Sequence, residues 1–422
     1  MRATSALLAA LLAASVGAER NLTLPAGATN LTVAIFTDLH FGENEEGPWG
    51  PYQDGNSTEV MRTVLRAEKG EEQGLDLVVF LGDQLTGNNV RDNATAYWNK
   101  AVGPCVEVGQ PWAAVFGNHD DMPFEEPTAG SAGGARDERG AVGGSAGPRG
   151  GGSTTSRAEL LAFDMGFAPL SLSCSDHASS GGGVSNYVIT VLAPAPMPGL
   201  RPGSSISADT DGVPVALLYF LDTGGGSLPE VLDDDTVGWL QDTAEEKSMA
   251  HGGRYLPSLL FMHIPAMQYG DAAPPSSDGP WDARQCPSGS IAEDSVTPTE
   301  GDSGVFMAMA RARIGWAFVG HDHGNDWCCV QRGRTLCFGR HTGYGGYGSW
   351  ARGSRVVRLE GIAAGEGVVT GGGIAAGEGG GDSEGAAGEA LAGAEAVGQR
   401  VLTWVRMEDG LVSSTGSLGT WG

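Results

Sequence analysis

The side chains best suited to chemistry in this 422-residue chain stand directly after five short apolar runs. The clusters read Thr-Asp-Leu-His, Gly-Asp, Gly-Asn-His-Asp, a lone His, and Gly-His-Asp-His, in that order along the chain. Seven side chains from these clusters supply two carboxylates, four imidazoles and one amide oxygen, a mixed set that suits Zn, Mn or Fe(II). The candidate metal ligands are Asp38, His40, Asp83, Asn118, His263, His321 and His323.

Each cluster taken alone has an ordinary structural explanation. An Asp can cap a helix, an Asn can sit in a turn, and a lone His is more often a satisfied polar residue than a ligand. The joint pattern favours a site, because polar groups at the carboxyl ends of strands are where open α/β sheets place their functional groups. We therefore expect the seven side chains to converge.

The elements that position these side chains follow from the pattern of apolar residues. Continuous apolar runs predict strands that are buried on both faces. The five site strands are predicted at 31–36, 77–81, 113–116, 259–262 and 316–319, with others at 187–192, 215–221, 355–359 and 401–406. Helical spacing predicts helices over 59–68, 157–165 and 237–247, with Ser57 available to cap the first.

Three stretches are too poor in large apolar residues to offset their ordering entropy, and we expect disordered loops there. They are a Gly-rich segment at 128–156, a Pro-rich segment at 193–212 and a Gly/Ala-rich low-complexity segment at 361–398. Much of the total of 69 Gly residues lies in such segments.

The charge balance excludes some classes of partner. The formal net charge is -26, and a field of that sign repels nucleic-acid backbones and anionic lipid surfaces. We expect no binding to a nucleic acid duplex and no stable membrane anchor. A small anionic substrate stays open if a local cluster of cations overrides the field.

The amino terminus predicts entry into the secretory pathway. Residues 1–18 combine one Arg, a short apolar run and small residues at the end, which is typical of a signal peptide. Four glycosylation sequons, beginning at Asn21, Asn30, Asn56 and Asn93, agree with export. The 6 Cys then predict disulfides, although their spacing leaves the pairing open. A bridge between the neighbours Cys328 and Cys329 is disfavoured, because the planar peptide between them resists so small a ring.

The order D-x-H, G-D, G-N-H-D, strand-end His and G-H-x-H resembles the calcineurin-like metallophosphoesterase superfamily. The segments 321–328 and 339–348 are similar to the atypical, non-purple branch of the plant and fungal purple-acid-phosphatase-like proteins. This resemblance implies an α/β fold in which two mixed sheets form a sandwich flanked by helices. It also implies a metallophosphoesterase domain over 31–360, followed by the low-complexity insertion and a C-terminal strand and tail at 399–422.

The resemblance further implies a role for each candidate ligand. Asp38, His40 and His323 would hold one divalent ion, and Asn118, His263 and His321 a second, with Asp83 bridging both. A metal-bridging hydroxide would attack a small phosphate monoester, and His119 would assist the leaving group, with Asp120 as an orienting partner. Two divalent ions, two carboxylates and one hydroxide leave the centre positive, so an anionic ester can bind there despite the acidic chain.

This sequence departs from the purple enzymes at two positions. Thr86 stands where they carry a metal-bound Tyr, and His40 stands where their first motif has Gly. We therefore expect no tyrosinate-bound ferric ion and no colour.

Two other functions stay open at this point. One is a secreted phosphodiesterase acting on nucleotides or lipid head groups, with Trp49, Trp327 or Tyr344 stacking on the substrate. The other is a catalytically silent member of the fold. Arg340 and His341 either line the pocket or form a structural turn.

Overall fold

A computed structural model describes residues 20–71, 74–125, 155–194, 212–276, 278–362 and 400–421. The predicted signal (1–18) lies outside these ranges, as do the parts 128–154, 195–211 and 363–398 of the three predicted insertions. The strands of the described residues are β1 (Arg20–Thr23), β2 (Asn30–Phe36), β3 (Leu77–Leu81), β4 (Trp112–Val115), β5 (Tyr187–Pro194), β6 (Gly212–Leu221), β7 (Val231–Leu232), β8 (Ser258–Met262), β9 (Gly301–Asp302), β10 (Trp316–Val319), β11 (Cys328–Gln331), β12 (Arg334–Phe338), β13 (Gly353–Glu360), β14 (Arg400–Met407) and β15 (Val412–Thr420). The helices are α1 (Gly50–Gly70), α2 (Ala94–Val108), α3 (Arg157–Met165), α4 (Asp234–Ala250), α5 (Gln268–Ala272) and α6 (Val305–Arg311).

The strands form two large mixed sheets. A seven-stranded sheet has the order β1-β5-β6-β8-β10-β12-β11, and a six-stranded sheet has the order β15-β14-β13-β2-β3-β4. Within them β8 pairs with β10 in parallel, and β2, β3 and β4 run parallel to one another. All five strands that precede the candidate ligands are therefore members of parallel pairs.

The apolar residues sort into three layers, as strands buried on both faces require. On β2, Val33 and Ile35 join the cluster between the sheets, whereas Ala34 and Phe36 pack against the helices outside the six-stranded sheet. Helices α1, α2 and α3 cover that outer face, and α4, α5 and α6 cover the other sheet. The predicted sandwich of two mixed sheets flanked by helices is confirmed.

The predicted helices differ from the observed ones mainly at their ends. Helix α1 begins at Gly50 after Trp49, so the expectation that Ser57 caps it is wrong. Ser57 lies inside the helix, where its hydroxyl donates to the Gln53 carbonyl and accepts from the Tyr344 amide. Helix α2 was not predicted from the sequence, because Pro104 lies inside it and proline usually ends a helix.

Both sheets also contain strands that lie outside the predicted domain range 31–360. Strand β1 lies at the edge of the seven-stranded sheet, and β14 and β15 complete the six-stranded sheet next to β13. The last described residues are therefore part of the sandwich. Among the described residues, no helix is both long and apolar enough to span a bilayer.

Two disulfides join residues near β11, the strand at the edge of the seven-stranded sheet. Cys286 is bonded to Cys329, and Cys328 is bonded to Cys337 across the antiparallel pair β11–β12. The neighbours Cys328 and Cys329 thus have separate partners, as the peptide geometry predicted. The prediction of disulfides is confirmed for these four residues, whereas Cys105 and Cys174 are buried free thiols.

We predict that a membrane-permeant thiol reagent labels no cysteine in the native protein and two in unfolded, unreduced protein. Burial removes Cys105 and Cys174 from solvent and raises the pKa of both thiols, which suppresses the reactive thiolate. Mass spectrometry of unreduced peptides should recover the 286–329 and 328–337 links. Reduced, unfolded protein with six labelled thiols is the control, and a 105–174 crosslink would contradict the prediction.

Candidate metal centre

The carboxyl ends of five strands, three from one sheet and two from the other, meet at one edge of the sandwich. A hydrogen bond joins the two sheets there, since the amide of His321 donates to Oδ1 of Asp38 at 3.0 Å. All seven predicted ligands lie at this edge: Asp38 and His40 after β2, Asp83 after β3, Asn118 after β4, His263 after β8, and His321 and His323 after β10.

Three of the predicted ligands form a first group: Asp38, His40 and His323. Each offers one ligand atom, and these atoms all lie within 4.8 Å of one another. His40 Nε2 is 3.2 Å from His323 Nε2, and His323 Nε2 is 3.6 Å from Asp38 Oδ1. All three side chains are buried.

The second group consists of Asp83, His263 and His321, again within 4.8 Å. Asn118 belongs with it, because its Oδ1 is 3.1 Å from His263 Nε2 and 3.0 Å from His321 Nδ1. Asp83 Oδ2 is 3.2 Å from His263 Nε2 and 3.7 Å from His40 Nε2. One carboxylate oxygen therefore lies beside both groups.

Hydrogen bonds on the far side of the rings fix which nitrogen faces the centre. His263 Nδ1 lies 2.9 Å from the Leu81 carbonyl, and His323 Nδ1 lies 2.9 Å from the Tyr347 carbonyl. A carbonyl only accepts, so each Nδ1 carries the hydrogen and each Nε2 points a lone pair inward when the ring is neutral. Lone pairs and carboxylates that converge in this way fit a divalent cation with mixed nitrogen and oxygen ligands.

The pKa shifts favour the metal-binding forms of His40, His321 and Asp83, but the protonated form of His263. Burial lowers the pKa of His40 to about 3, and burial together with His263 lowers that of His321 to about 3. Burial alone would raise the pKa of Asp83, but His263 and His119 hold it well below its usual value. Burial opposes a charge on His263, yet Asp83 raises its pKa to about 9. An ion that binds at His263 therefore displaces a proton.

Thr86, which the resemblance places where the purple enzymes carry a metal-bound Tyr, contacts a candidate ligand. Its Oγ1 is 3.2 Å from His40 Nδ1, and the side chain is 5% exposed. This contact leaves His40 Nε2 facing the centre. Thr86 thus orients the imidazole of His40.

The backbone is strained where the ligands are attached. Among the described residues, eight non-glycine residues have a positive φ, and four of them are candidate ligands. A side chain in this left-handed region costs roughly 1–2 kcal/mol, and such strain concentrates at functional sites. The four angles are 56° at Asp38, 50° at His40, 54° at Asp83 and 73° at His321.

His119 stands beside the first group but is not a member of either group. Its ring centroid is 5.0 Å from that of His40, and its amide donates to Asp83 Oδ1 at 2.7 Å. The ring is half-buried. Asp120, expected to orient His119, accepts hydrogen bonds from three backbone amides, those of Asp83, Leu85 and Gly117. Its carboxylate therefore fixes the loops after β3 and β4.

Arg157 supports the Asn118 loop and was not identified from the sequence. This buried guanidinium at the start of α3 donates to the Gly117 carbonyl at 2.9 Å and to Asp121 Oδ1 at 2.9 Å. It also forms a buried ion pair with Asp222. These partners are 36 to 65 residues distant in sequence, so no local pattern could reveal them.

Three residues near the centre for which the sequence suggested a contact with substrate are buried. Trp327 is 0% exposed and its Nε1 donates to Asn325, so its predicted stacking on a substrate is wrong. His341 is 1% exposed, and its ring centroid is 3.9 Å from that of His323. It packs behind a candidate ligand. Arg340 is also buried, and it binds the Ala351 carbonyl and Asp326.

A comparison with family models finds one match. Residues 31–170 match the family described as calcineurin-like phosphoesterase. This range includes the first three clusters, from Asp38 to His119, and ends before His263.

The chain is similar to curated proteins over about three quarters of its length. It is 27% identical over 349 residues to "Probable inactive purple acid phosphatase 28" of Arabidopsis thaliana, covering 76% of this chain and 73% of that protein. It is 25% identical over 325 residues to "Phosphatase DCR2" of Saccharomyces cerevisiae, covering 73% of this chain and 47% of that protein.

Among solved structures, the purple acid phosphatase PPD1 from yellow lupin seeds is similar with a TM-score of 0.46 and 12% identity. The match covers 93% of this chain and 54% of that one.

We predict that His321→Gly unfolds with a free energy about 1 kcal/mol larger than His321→Ala, because Gly tolerates a φ of 73° and Ala does not. The same pair at His323, whose φ is not positive, is the control. There the Ala variant should be the more stable by roughly 0.5–1 kcal/mol. Urea unfolding with a chelator present measures both pairs, and an Ala variant at 321 as stable as the Gly variant would contradict the strain argument.

Proposed function

From the match of residues 31–170 to the calcineurin-like phosphoesterase family, we propose that the chain hydrolyses phosphate monoesters with the help of two divalent metal ions. The observation that carries this proposal is the position of Asp83. Its Oδ2 is 3.2 Å from a ring nitrogen of His263 and 3.7 Å from one of His40. Two groups of ligands that share a carboxylate fit a dinuclear centre.

In this proposal each group would hold one ion, and Asp83 would be shared between them. Asp38, His40 and His323 would hold the first ion, and Asn118, His263 and His321 would hold the second. When bound, the ions supply positive charge for the phosphate and an activated water as the nucleophile. The imidazole-rich set suits Zn, Mn or Fe(II).

His119 is the proposed proton donor to the leaving oxygen. It is half-buried beside the first group, and its amide is tied to Asp83. Its ring can therefore face a substrate without holding an ion. A positioned imidazole contributes typically 10²–10⁴-fold to such a proton transfer.

A catalytically silent relative of these enzymes is the second candidate, and the printed name of the Arabidopsis thaliana protein favours it. The convergence of all seven ligand candidates supports an active centre. Metal binding and turnover are separate properties, so each needs its own measurement.

We also propose that the protein is secreted or vacuolar. The two disulfides agree with an oxidising compartment. Asn21 and Asn93 are exposed, as glycan acceptors need to be.

The test of the proposal combines metal analysis with hydrolysis of 4-nitrophenyl phosphate and bis(4-nitrophenyl) phosphate. We expect two equivalents of metal, faster release from the monoester, and loss of activity with a chelator. Asp83→Asn should bind less metal and lose at least about 100-fold in kcat/KM, whereas the exposed Asp409→Asn should match the wild type. Bound metal without turnover would support the silent candidate, and turnover that survives both chelator and Asp83→Asn would exclude the dinuclear mechanism.

We predict that His119→Ala lowers kcat by about 10²–10⁴-fold on an alkyl phosphate but far less on 4-nitrophenyl phosphate. The reason is that an alkoxide needs a proton to leave, whereas 4-nitrophenolate does not. Steady-state kinetics on both esters measure the difference, and metal content should stay at two equivalents. An equal loss on the two esters would argue against the proton-donor role.

A further inference from the structure

One residue of a loop, Tyr347, contacts His323 at three places. His323 Nδ1 donates to the Tyr347 carbonyl at 2.9 Å, and the His323 amide donates to the Tyr347 hydroxyl at 2.9 Å. The two rings are stacked, with centroids 4.1 Å apart and an interplanar angle of 13°. Tyr347 therefore contacts the amide, the outer nitrogen and a face of the same ligand.

Tyr347 is itself fixed in place. An amide only donates, so the phenol oxygen accepts from His323 and its hydrogen is left for Glu293, whose Oε2 lies 2.9 Å away. The preceding Gly346 has a φ of 70°, and a Cβ there would overlap the His323 ring. The Gly346 amide donates to Glu43 at 2.8 Å. The loop can approach the ligands this closely because it lacks side chains there.

In the second group, the outer contact of His263 is made by a strand and not by a loop. His263 Nδ1 donates to the carbonyl of Leu81, the last residue of β3, at 2.9 Å. That acceptor belongs to the six-stranded sheet itself. The outer contact of His263 therefore comes with the sandwich, whereas that of His323 depends on residues 343–348 folding over it.

We propose that Tyr347, held by Glu293, is a positioning residue that sets the affinity of the first metal site through His323. The proposal rests on the proposed function above. Tyr347 fixes the ring orientation of His323, so that Nε2 points toward Asp38 and His40. Contacts of this kind typically contribute 10–100-fold to metal affinity.

The experiment titrates Zn²⁺ or Mn²⁺ into metal-free full-length protein against a competing chelator. Tyr347→Leu removes the stacked ring and the hydroxyl but keeps the backbone carbonyl that binds His323 Nδ1. We therefore expect it to weaken one of the two sites by about 10-fold, the lower end of the range for such contacts, while the other stays unchanged. Tyr347→Phe keeps the stacked ring and should recover part of this loss. Tyr344→Phe is the matched control, because that hydroxyl belongs to the same loop but binds Glu408, and it should bind metal as the wild type does.

A double variant separates positioning from general destabilisation. If Tyr347 acts through His323, adding Tyr347→Leu to His323→Ala should cause no further loss of affinity. Wild-type affinity at both sites in Tyr347→Leu, an equal loss in Tyr344→Phe, or additive losses in the double variant would each overturn the inference. Wild-type protein that binds no metal would instead refute the proposed function, so the two failures are distinguishable.

Discussion

The buried carboxylate of Asp83 is the constraint on which the site depends. A charge out of contact with water is costly unless partners compensate for it. Asp83 is 1% exposed, and its compensation comes from both halves of the sandwich, from His263 after β8 and from the His119 amide after β4. The two sheets must therefore pack in one relative position for the charge to be tolerated. The apolar layer between them fixes that position.

The backbone is strained at this same edge of the sandwich. Asp38, His40, Asp83 and His321 all have a positive φ. Neighbouring glycines allow the close packing, since a Cβ at Gly82 would meet His263 and one at Gly117 would meet Asp83. Strained backbone and crowded charges are unfavourable locally. The core of the sandwich offsets them, as is common where function opposes stability.

The sequence was sufficient for the parts of the fold that short-range patterns specify. Continuous apolar runs located all five site strands within one or two residues, and the polar residues after them located the ligand candidates. Predictions that rested on the sequence neighbours of a single residue were less reliable. Ser57 is a residue type that often caps a helix, but it lies inside α1, which begins at Gly50. Its hydroxyl accepts from the Tyr344 amide. Trp327 stands next to the last motif but is buried.

The remaining features depend on long-range contacts. Arg157 meets Asp121 and Asp222 only because α3 packs beside the Asn118 loop. Tyr347 meets Glu293 across 54 residues. The pairing of Cys286 with Cys329 likewise follows from where β11 lies. Such partners are selected by the packed sandwich, and no periodicity or motif in the chain specifies them.

In the proposed mechanism, the residues that bind the ions differ from the residue that acts on the substrate. His40 Nε2 and His323 Nε2 lie 3.2 Å apart, and His323 Nε2 lies 3.6 Å from Asp38 Oδ1. These buried ligand atoms support the proposed ion binding, because a cation would be held by the ring nitrogens and the carboxylate together. They do not by themselves indicate turnover. The group that distinguishes the two is His119, which lies outside both ligand groups and is only half-buried. Its imidazole has a chemical use only if a substrate reaches the centre.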